Sequence, residues 1–249
     1  MNAPTTSSPP QLRLLDLQAV DTALAQLRHR RATLPELAAL TDRITQAADL
    51  GTALVEAQTQ LGDIANEQRR LENDVDAVQT RAGRDEQRLQ SGGLPAKELE
   101  GLQHEITTLA RRKSTLEDEL LEVMERREGS ESSVSSLSSR RDALVAERAD
   151  LEAARDVAFT EIDAAIAERT TQRDVIAAEI PADLLAIYER AREHSGGVGA
   201  AMLRQRRCEG CHIELSGSEL TAVRAAAPEE VVRCDNCRRI LVRTPEAGL

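Results

Sequence analysis

Apolar residues recur every three or four positions over most of the chain. One such series runs from Leu40 to Leu89, and a second runs from Leu99 towards Arg148. A mean spacing of about 3.5 residues is that of a left-handed coiled-coil seam. The pattern therefore predicts two long helices that pack against each other along a narrow apolar stripe.

A short break, Ser91-Gly92-Gly93-Leu94-Pro95, separates the two series. Paired glycines permit positive φ, and proline suits the first turn of a new helix. We expect a hairpin tip near residues 91–95 and antiparallel arms in which facing residue numbers add to about 188. In that register Gln58 faces Ser130, and this polar layer either bends the arms or only fixes their register.

The apolar period continues outward along both arms, and it predicts the domain boundaries. Pro35 interrupts the first arm, so we expect a kink or a break near Leu34. Two Cys-x-x-Cys pairs after residue 200 have the pattern of a zinc ribbon. The expected fold class is therefore mainly α, a long antiparallel coiled-coil hairpin followed by a small β zinc ribbon. The expected divisions are a disordered N-terminus (1–10), the hairpin (11–180), a connecting helix and glycine-rich linker (181–199) and the ribbon (200–245).

The composition argues against one large globular enzyme domain. The chain of 249 residues has no Trp, one Tyr and one Phe, whereas aromatic side chains dominate compact cores. It shows neither a secretory signal nor an apolar stretch long enough to span a membrane, so we expect a soluble, cytoplasmic protein. We expect no membrane association and no small-molecule substrate.

Charge is distributed unevenly along the chain. The net charge is -11, but residues 201–249 carry eight Arg against seven acidic residues, a net +1, which leaves -12 for residues 1–200. Binding to nucleic acid requires a positive surface, so only the C-terminal part is expected to contact an anionic partner.

All four cysteines lie in the C-terminal part, as Cys208-Glu209-Gly210-Cys211 and Cys234-Asp235-Asn236-Cys237. Two CxxC pairs separated by 22 residues, in a protein without a secretory signal, indicate a tetrahedral metal site rather than disulfides. Zinc is favoured over iron in a rubredoxin-like site, and a dithiol redox role is less favoured. Residues Ile213–Leu215 and Val231–Arg233 are predicted to be short strands.

The predicted ligands are Cys208, Cys211, Cys234 and Cys237, and they would hold one structural Zn²⁺ per chain. Four protein ligands leave no open coordination position. About 45 residues without aromatics bury little apolar surface, so the metal is expected to supply folding free energy. His212 is adjacent to Cys211, and we place it outside the ligand set.

Arginines surround the two CxxC motifs. They are compatible with contacts to phosphate or to a protein partner. The alternative is a set of solubilising charges that pair with Glu209, Glu214 and Asp235 and offset the negative charge of the thiolates. Because the ribbon has no aromatic residue, any contact to nucleic acid would be to its backbone. Tyr188 is interpreted as a packing residue. The arginines are Arg204, Arg206, Arg207, Arg233, Arg238, Arg239 and Arg243.

These motifs together resemble the bacterial four-cysteine zinc-ribbon coiled-coil family, from about residue 12 to 243. The resemblance rests on Pro95-Ala96-Lys97-Glu98-Leu99-Glu100 at the tip, on Tyr188-Glu189-Arg190, and on the two cysteine motifs, which continue as His212 and as Arg238-Arg239-Ile240-Leu241. It implies an elongated coiled coil with a small zinc ribbon and the four cysteines as zinc ligands. Some members are described as binding the sigma factor sigma-54, some as linked to secretion or messenger RNA, and others only as candidate nucleic-acid-binding proteins.

Two positions depart from the pattern of the family. Arg238 replaces the usual glycine after the last cysteine, and Val242 replaces an aromatic residue. We expect a non-enzymatic adaptor that engages protein through its hairpin, tip and ribbon. The alternative is a nucleic-acid-binding regulator that uses the arginines of the ribbon, while an enzyme is the third choice. The oligomeric state stays open.

Overall fold

Four helices contain most of the chain in this computed structural model, which describes residues 6–249. They are α1 (Pro9–Ala32), α2 (Pro35–Ser91), α3 (Ala96–Ala178) and α4 (Ala182–His194). Strands β1 (Ala200–Arg204) and β2 (Arg207–Cys208), helix α5 (Gly217–Ala225) and strand β3 (Ile240–Arg243) follow. The predicted fold class, a helical hairpin followed by a small ribbon, is confirmed. No helix within residues 6–249 is long and apolar enough to cross a membrane.

The two predicted interruptions fall where proline and glycine place them. Helix α1 ends before Thr33, and α2 restarts at Pro35, so the first arm is broken rather than kinked. At the tip, α2 ends at Ser91 and α3 begins at Ala96. Gly92 and Gly93 between them have φ of 71° and 80°. Both values lie in the left-handed region that glycine adopts without steric cost.

The chain divides into two compact units. The hairpin unit comprises residues 38–152, and the ribbon unit comprises the described residues up to Leu37 together with Ala153–Leu249. The sequence placed the boundary near residue 180, between hairpin and linker. In the structure the outer parts of the predicted hairpin arms belong instead with the ribbon, because α1 and the end of α3 share an apolar core with α4 and the sheet.

The hairpin unit is held by a thin apolar seam. Its central cluster of buried residues contains Ile64, Leu71, Leu116 and Val123. Ion pairs across the two arms join Arg43 to Glu147, Glu67 to Arg126 and Arg81 to Glu105. In each pair the residue numbers add to between 186 and 193, which agrees with the antiparallel register expected from the sequence.

Polar residues in the seam are satisfied by neighbouring polar residues. Gln68 is buried, accepts a hydrogen bond from Arg127 (3.1 Å) and donates one to Glu72 (2.7 Å). A register in which facing residue numbers add to about 188 would instead place Gln68 opposite Leu120 and Arg127 opposite Leu61. Both helices run without a break through the layer of Gln58 and Ser130, and a bend there stays a prediction.

The ribbon unit is built around a three-stranded sheet of order β2-β1-β3. Strands β1 and β2 are antiparallel, and β1 and β3 are parallel, with Ala200 beside Ile240. Because side chains alternate along a strand, the sheet has two faces. Ile240 and Val242 of β3 pack on the helical core with Leu14 and Leu17. Leu241 points to a second core, with Leu203, Leu220 and two of the cysteines.

The predicted strands Ile213–Leu215 and Val231–Arg233 are wrong. Each makes only a single bridge, Glu214 with Arg207 and Arg233 with Ile240. The capped start of α5 at Ser216 leaves too little chain after the first CxxC motif for a ladder. The sheet is formed instead by residues that lead into the first motif, as far as Cys208, and by residues that follow the second motif.

The N-terminal segment differs from the expected disorder where the structure describes it. Residues 1–5 lie outside the described range, but Ser7 is buried, and its backbone N–H donates to the carbonyl of Arg243 (3.0 Å). The Ser7 hydroxyl in turn accepts from the backbone N–H of Arg243 (3.0 Å). Residues 6–8 thus extend from α1 to β3, which the absence of an apolar pattern did not indicate.

Candidate metal centre and the arginines around it

Four thiols converge at one point of the ribbon unit. The sulfur atoms of Cys208, Cys211, Cys234 and Cys237 all lie within 4.8 Å of one another. The Sγ atoms are 3.8 Å apart between Cys208 and Cys237 and 3.9 Å apart between Cys211 and Cys234. A tetrahedron with metal–sulfur bonds of about 2.3 Å has edges of about 3.8 Å, so the thiols fit a four-coordinate site.

The two CxxC motifs adopt the same local fold. The backbone N–H of His212 donates to the carbonyl of Cys208 (2.7 Å), and that of Arg238 donates to the carbonyl of Cys234 (2.8 Å). His212 and Arg238 have φ of 60° and 63°, the left-handed region. Each turn therefore directs its two thiols inward, although the left-handed position is occupied by His212 and Arg238 rather than by glycine.

Gly210 of the first motif is required by its surroundings. A Cβ atom there would lie 2.6 Å from Cδ of Arg239 and 2.9 Å from Cβ of Ala201. The Arg239 side chain packs directly over this backbone and donates to the Gly210 carbonyl (2.8 Å). The first motif is thereby fixed against residues that follow the second one.

The thiol pKa values of Cys208, Cys234 and Cys237 are not shifted in the same direction. Burial raises the pKa of Cys208 and that of Cys234, and backbone hydrogen bonds within each motif offset only part of the effect. Burial also opposes ionisation of Cys237, but hydrogen bonds from the Arg239 backbone and from neighbouring thiols outweigh it and lower the pKa of Cys237 to about 7. Cys237 is therefore the more readily ionised thiol of its motif.

Arg243 is not available to any partner, which corrects its assignment as a contact residue. Its side chain is fully buried. The guanidinium donates to the carbonyls of Val223 (3.2 Å), Ala226 (2.6 Å) and Ala227 (2.5 Å) at the end of α5. A buried charge requires such partners, so Arg243 fixes the segment that connects the two CxxC motifs.

Arg239 also has a structural position. Its guanidinium donates to the carbonyls of Ser195 (2.9 Å), Val198 (3.2 Å) and Gly210 (2.8 Å). It therefore joins the linker after α4 to the first CxxC motif. The other five arginines of the predicted set are exposed: Arg204, Arg206, Arg207, Arg233 and Arg238.

Two family models match the amino-acid sequence of this chain. The CT398-like coiled coil hairpin domain matches residues 17–196, and the C4-type zinc ribbon domain matches residues 207–241. The chain belongs to the family of CT398-like coiled coil hairpin proteins. The zinc-ribbon match covers all four clustered cysteines.

Relatives of this hairpin and ribbon family are found in mycobacteria. The uncharacterized protein Rv2229c of Mycobacterium tuberculosis (strain H37Rv) is 39% identical over 233 residues, which are 94% of this chain and 95% of that protein. A solved structure from Mycobacterium smegmatis has a TM-score of 0.83 at 36% identity and covers 96% of this chain and all of its own chain. CT398 from Chlamydia trachomatis has a TM-score of 0.70 at 20% identity, covers 94% of this chain and 98% of its own, and shows the shared fold.

A buried polar cluster in the ribbon unit was missed by sequence reasoning. The Asp21 carboxylate accepts from Arg173 (2.7 Å), Arg192 (2.8 Å) and the hydroxyl of Tyr188 (2.7 Å). Glu189 also pairs with both arginines. Burial, and then the bond to Asp21, raise the pKa of Tyr188, so its hydroxyl stays protonated and acts as a donor.

Tyr188 is therefore a packing residue, as the sequence indicated. Its side chain is fully buried in the helical core. A Cβ atom at Gly199 would lie 2.8 Å from its ring, so this glycine permits the close approach. Nothing in the local pattern of α1 marks Asp21 as its partner, because the partners lie more than 150 positions away along the chain.

Proposed function

We propose that this protein is a non-enzymatic adaptor with one structural zinc ion. The observation that carries the proposal is the surface of the hairpin unit. Its two helices bury only a narrow seam, and they leave large apolar side chains exposed, among them Val55 (63%) and Leu121 (59%). Paired helices with much of their circumference exposed are suited to contacts with another protein.

The zinc proposal is supported by the donor set. Four cysteine sulfurs at tetrahedral spacing match the C4-type zinc ribbon model. With every coordination position filled by a cysteine, the ion has no place for water or substrate, and its role is to hold the ribbon together. Metal analysis of the purified protein tests this, with one zinc per chain as the expected result.

One segment of α3 is the first place to look for a protein contact. Leu121 and Met124 are exposed about one turn apart, and acidic residues such as Glu117 and Glu125 lie beside them. An apolar pair with an acidic rim favours a partner that is apolar at its centre and basic at its edge.

Site-specific photocrosslinking in the native cytoplasm tests the adaptor function. A photoreactive residue at Leu121 is expected to capture a defined protein, and the double variant Leu121→Ser/Met124→Ser is expected to abolish the capture. A photoreactive residue at the exposed Val145 is the matched control. Capture of the same proteins from Leu121 and Val145, or of none from either, would contradict a specific contact here.

The alternative, a nucleic-acid-binding regulator, is supported by the exposed arginines of the ribbon. Arg206 and Arg207 lie in or beside the turn from β1 to β2, and both side chains are exposed. The test is binding of a labelled nucleic acid across a salt series. A steep loss of affinity with salt that depends on Arg206 and Arg207 favours this function, and no binding at low salt removes it.

A further inference from the structure

A cleft with a positively charged lining lies between α4 and the second CxxC motif. It encloses about 330 Å³ and is lined by Arg190, Ala191, His194, Ser195, Arg233 and Arg238. Its two walls are joined, because the Ser195 hydroxyl donates to the Cys237 carbonyl (3.3 Å) and the Ser195 carbonyl accepts from Arg239 (2.9 Å). These two hydrogen bonds therefore connect the end of α4 to the second CxxC motif beside the cleft.

The cationic groups of this cleft have no acidic partners of their own. Within residues 6–249, no carboxylate lies within ion-pair distance of Arg190, Arg233 or Arg238. The nearby Glu189 is already engaged by Arg173 and Arg192. By contrast, the neighbouring cleft that contains Arg204 and Arg207 is also lined by Glu209 and Glu214. The cleft at α4 thus combines concave shape with positive charge that is not neutralised locally.

One further polar side chain, that of His194, lines the same cleft. The Nδ1–H group of His194 donates to the Arg190 carbonyl (2.7 Å), because a carbonyl oxygen can only accept. The Nε–H group of Arg190 donates to the carbonyl of Ala186 (3.2 Å), and the two terminal amino groups of its guanidinium remain as donors for a ligand. The guanidinium groups of Arg233 and Arg238 are exposed at the opposite wall.

Neutralising the metal centre does not account for these arginines. Four thiolates around a divalent ion carry net negative charge, but Arg239 is the arginine that lowers the pKa of Cys237. Arg233 and Arg238 are the residues next to Cys234 and Cys237 in sequence, yet their side chains line the cleft instead.

We propose that this cleft binds carboxylate side chains of a short acidic segment in the protein partner. The inference rests on the adaptor function proposed above and names the chemistry of one contact. Guanidinium groups bind carboxylates through paired hydrogen bonds, and the cleft is at the small end of the range of about 300–1,000 Å³ for ligand sites. It therefore suits one or two acidic side chains rather than a large ligand.

An extended polyanion fits these observations less well. Three arginines neutralise few phosphates, and residues 189–249 contain no Phe, Tyr or Trp to stack on bases. The net charge of -11 repels a long polyanion. A short acidic peptide, in contrast, places its charge only in the cleft.

The test uses the full-length, zinc-loaded protein and a fluorescein-labelled peptide of alternating Asp and Gly. Fluorescence anisotropy is measured for wild type, for Arg190→Gln and for Arg233→Gln/Arg238→Gln, with Arg207→Gln as the control outside the cleft. Loss of a charge-assisted hydrogen bond is expected to weaken binding by about tenfold or more for each cleft variant, and by less than about twofold for the control. Zinc content and resistance to protease are measured for every variant, and Arg190→Gln keeps the test valid if the double variant misfolds.

Several results would overturn the proposal. One is that the acidic peptide binds no better than the same peptide with Asn in place of Asp. Another is that Arg207→Gln weakens binding as much as the cleft variants do, which would show a general charge effect. A third is that an oligodeoxynucleotide with the same number of charges binds as tightly through the same arginines. If the cleft variants keep the partner captured by photocrosslinking, the adaptor function stands and the assignment of this cleft is wrong.

Discussion

The hairpin unit and the ribbon unit distribute their stabilising contacts in opposite ways. The hairpin repeats one modest layer of apolar residues many times, and its charged pairs are mostly exposed. The ribbon unit depends on a few buried groups that each contact several partners, such as Asp21 and Arg243. Exposed ion pairs contribute little to the free energy of unfolding, and one apolar layer is only a small part of a seam of many layers. Removing one partner from a buried charged cluster, in contrast, leaves the remaining charges buried without a counter-charge. Loss of a metal ligand or of a buried charged group should therefore destabilise the ribbon unit more than loss of one apolar side chain destabilises the hairpin unit.

The largest effect is expected from removing a metal ligand. Cys208→Ser, or chelation of the metal, should unfold the ribbon while the hairpin unit keeps its helices, because structural zinc sites supply about 10–16 kcal/mol of apparent binding free energy. Hydrogen exchange resolved along the chain, together with zinc analysis, measures this. His212→Asn is the matched control, since His212 is exposed and lies outside the sulfur cluster. Unchanged zinc content and unchanged protection of residues 200–243 in Cys208→Ser would contradict the prediction.

A smaller but still large effect is expected at the buried cluster. Asp21→Ala should lower the free energy of unfolding of the ribbon unit by about 3 kcal/mol, because Arg173, Arg192 and the Tyr188 hydroxyl lose their shared acceptor. Urea denaturation measures the change. In the control variant Asp163→Ala an exposed pair with Arg31 is lost, and the expected cost is below about 1 kcal/mol. Equal costs for the two variants would show that the cluster adds no more than a surface pair.

The smallest of the three effects is expected in the hairpin seam. Leu116→Ala should lower the free energy of unfolding of the hairpin unit by about 2–3 kcal/mol, the lower part of the range for a buried leucine. The loss is modest because two paired helices can relax around the cavity left by the side chain. Hydrogen exchange should rise around residues 64–71 and 113–123 and remain unchanged in the ribbon unit. Leu121→Ala removes an exposed leucine from the same helix and serves as the control. Faster exchange in the ribbon unit would mean that the two units do not respond independently.

The sequence predicted features that depend on local spacing. The seam follows from apolar residues at coiled-coil spacing, the tip from Gly92, Gly93 and Pro95, and the metal ligands from two CxxC motifs. Each signal lies within a few residues of the feature it determines. For this reason the predicted positions of the seam, the tip and the clustered cysteines agree with the structure.

Features that depend on distant residues were not predictable in the same way. Asp21 on α1 resembles any charged helix residue, and only the folded chain brings it to Arg173 and Tyr188. Arg243 was taken for a surface charge because arginine is seldom fully buried, yet carbonyl groups after α5 satisfy it. Helix α5 does have a local signal, because Ser216 and Glu219 form a capping box.

The hydrogen bonds between Ser7 and Arg243 have a consequence for the order in which the chain folds during its synthesis. The apolar side of α1, with Leu14 and Leu17, is covered in part by Ile240 and Val242, which are made more than 200 residues later. The arms of the hairpin unit can pair as soon as residues 38–152 have been made. Until β3 has been made, the apolar side of α1 stays partly uncovered, so the nascent chain is most prone to aggregation at α1.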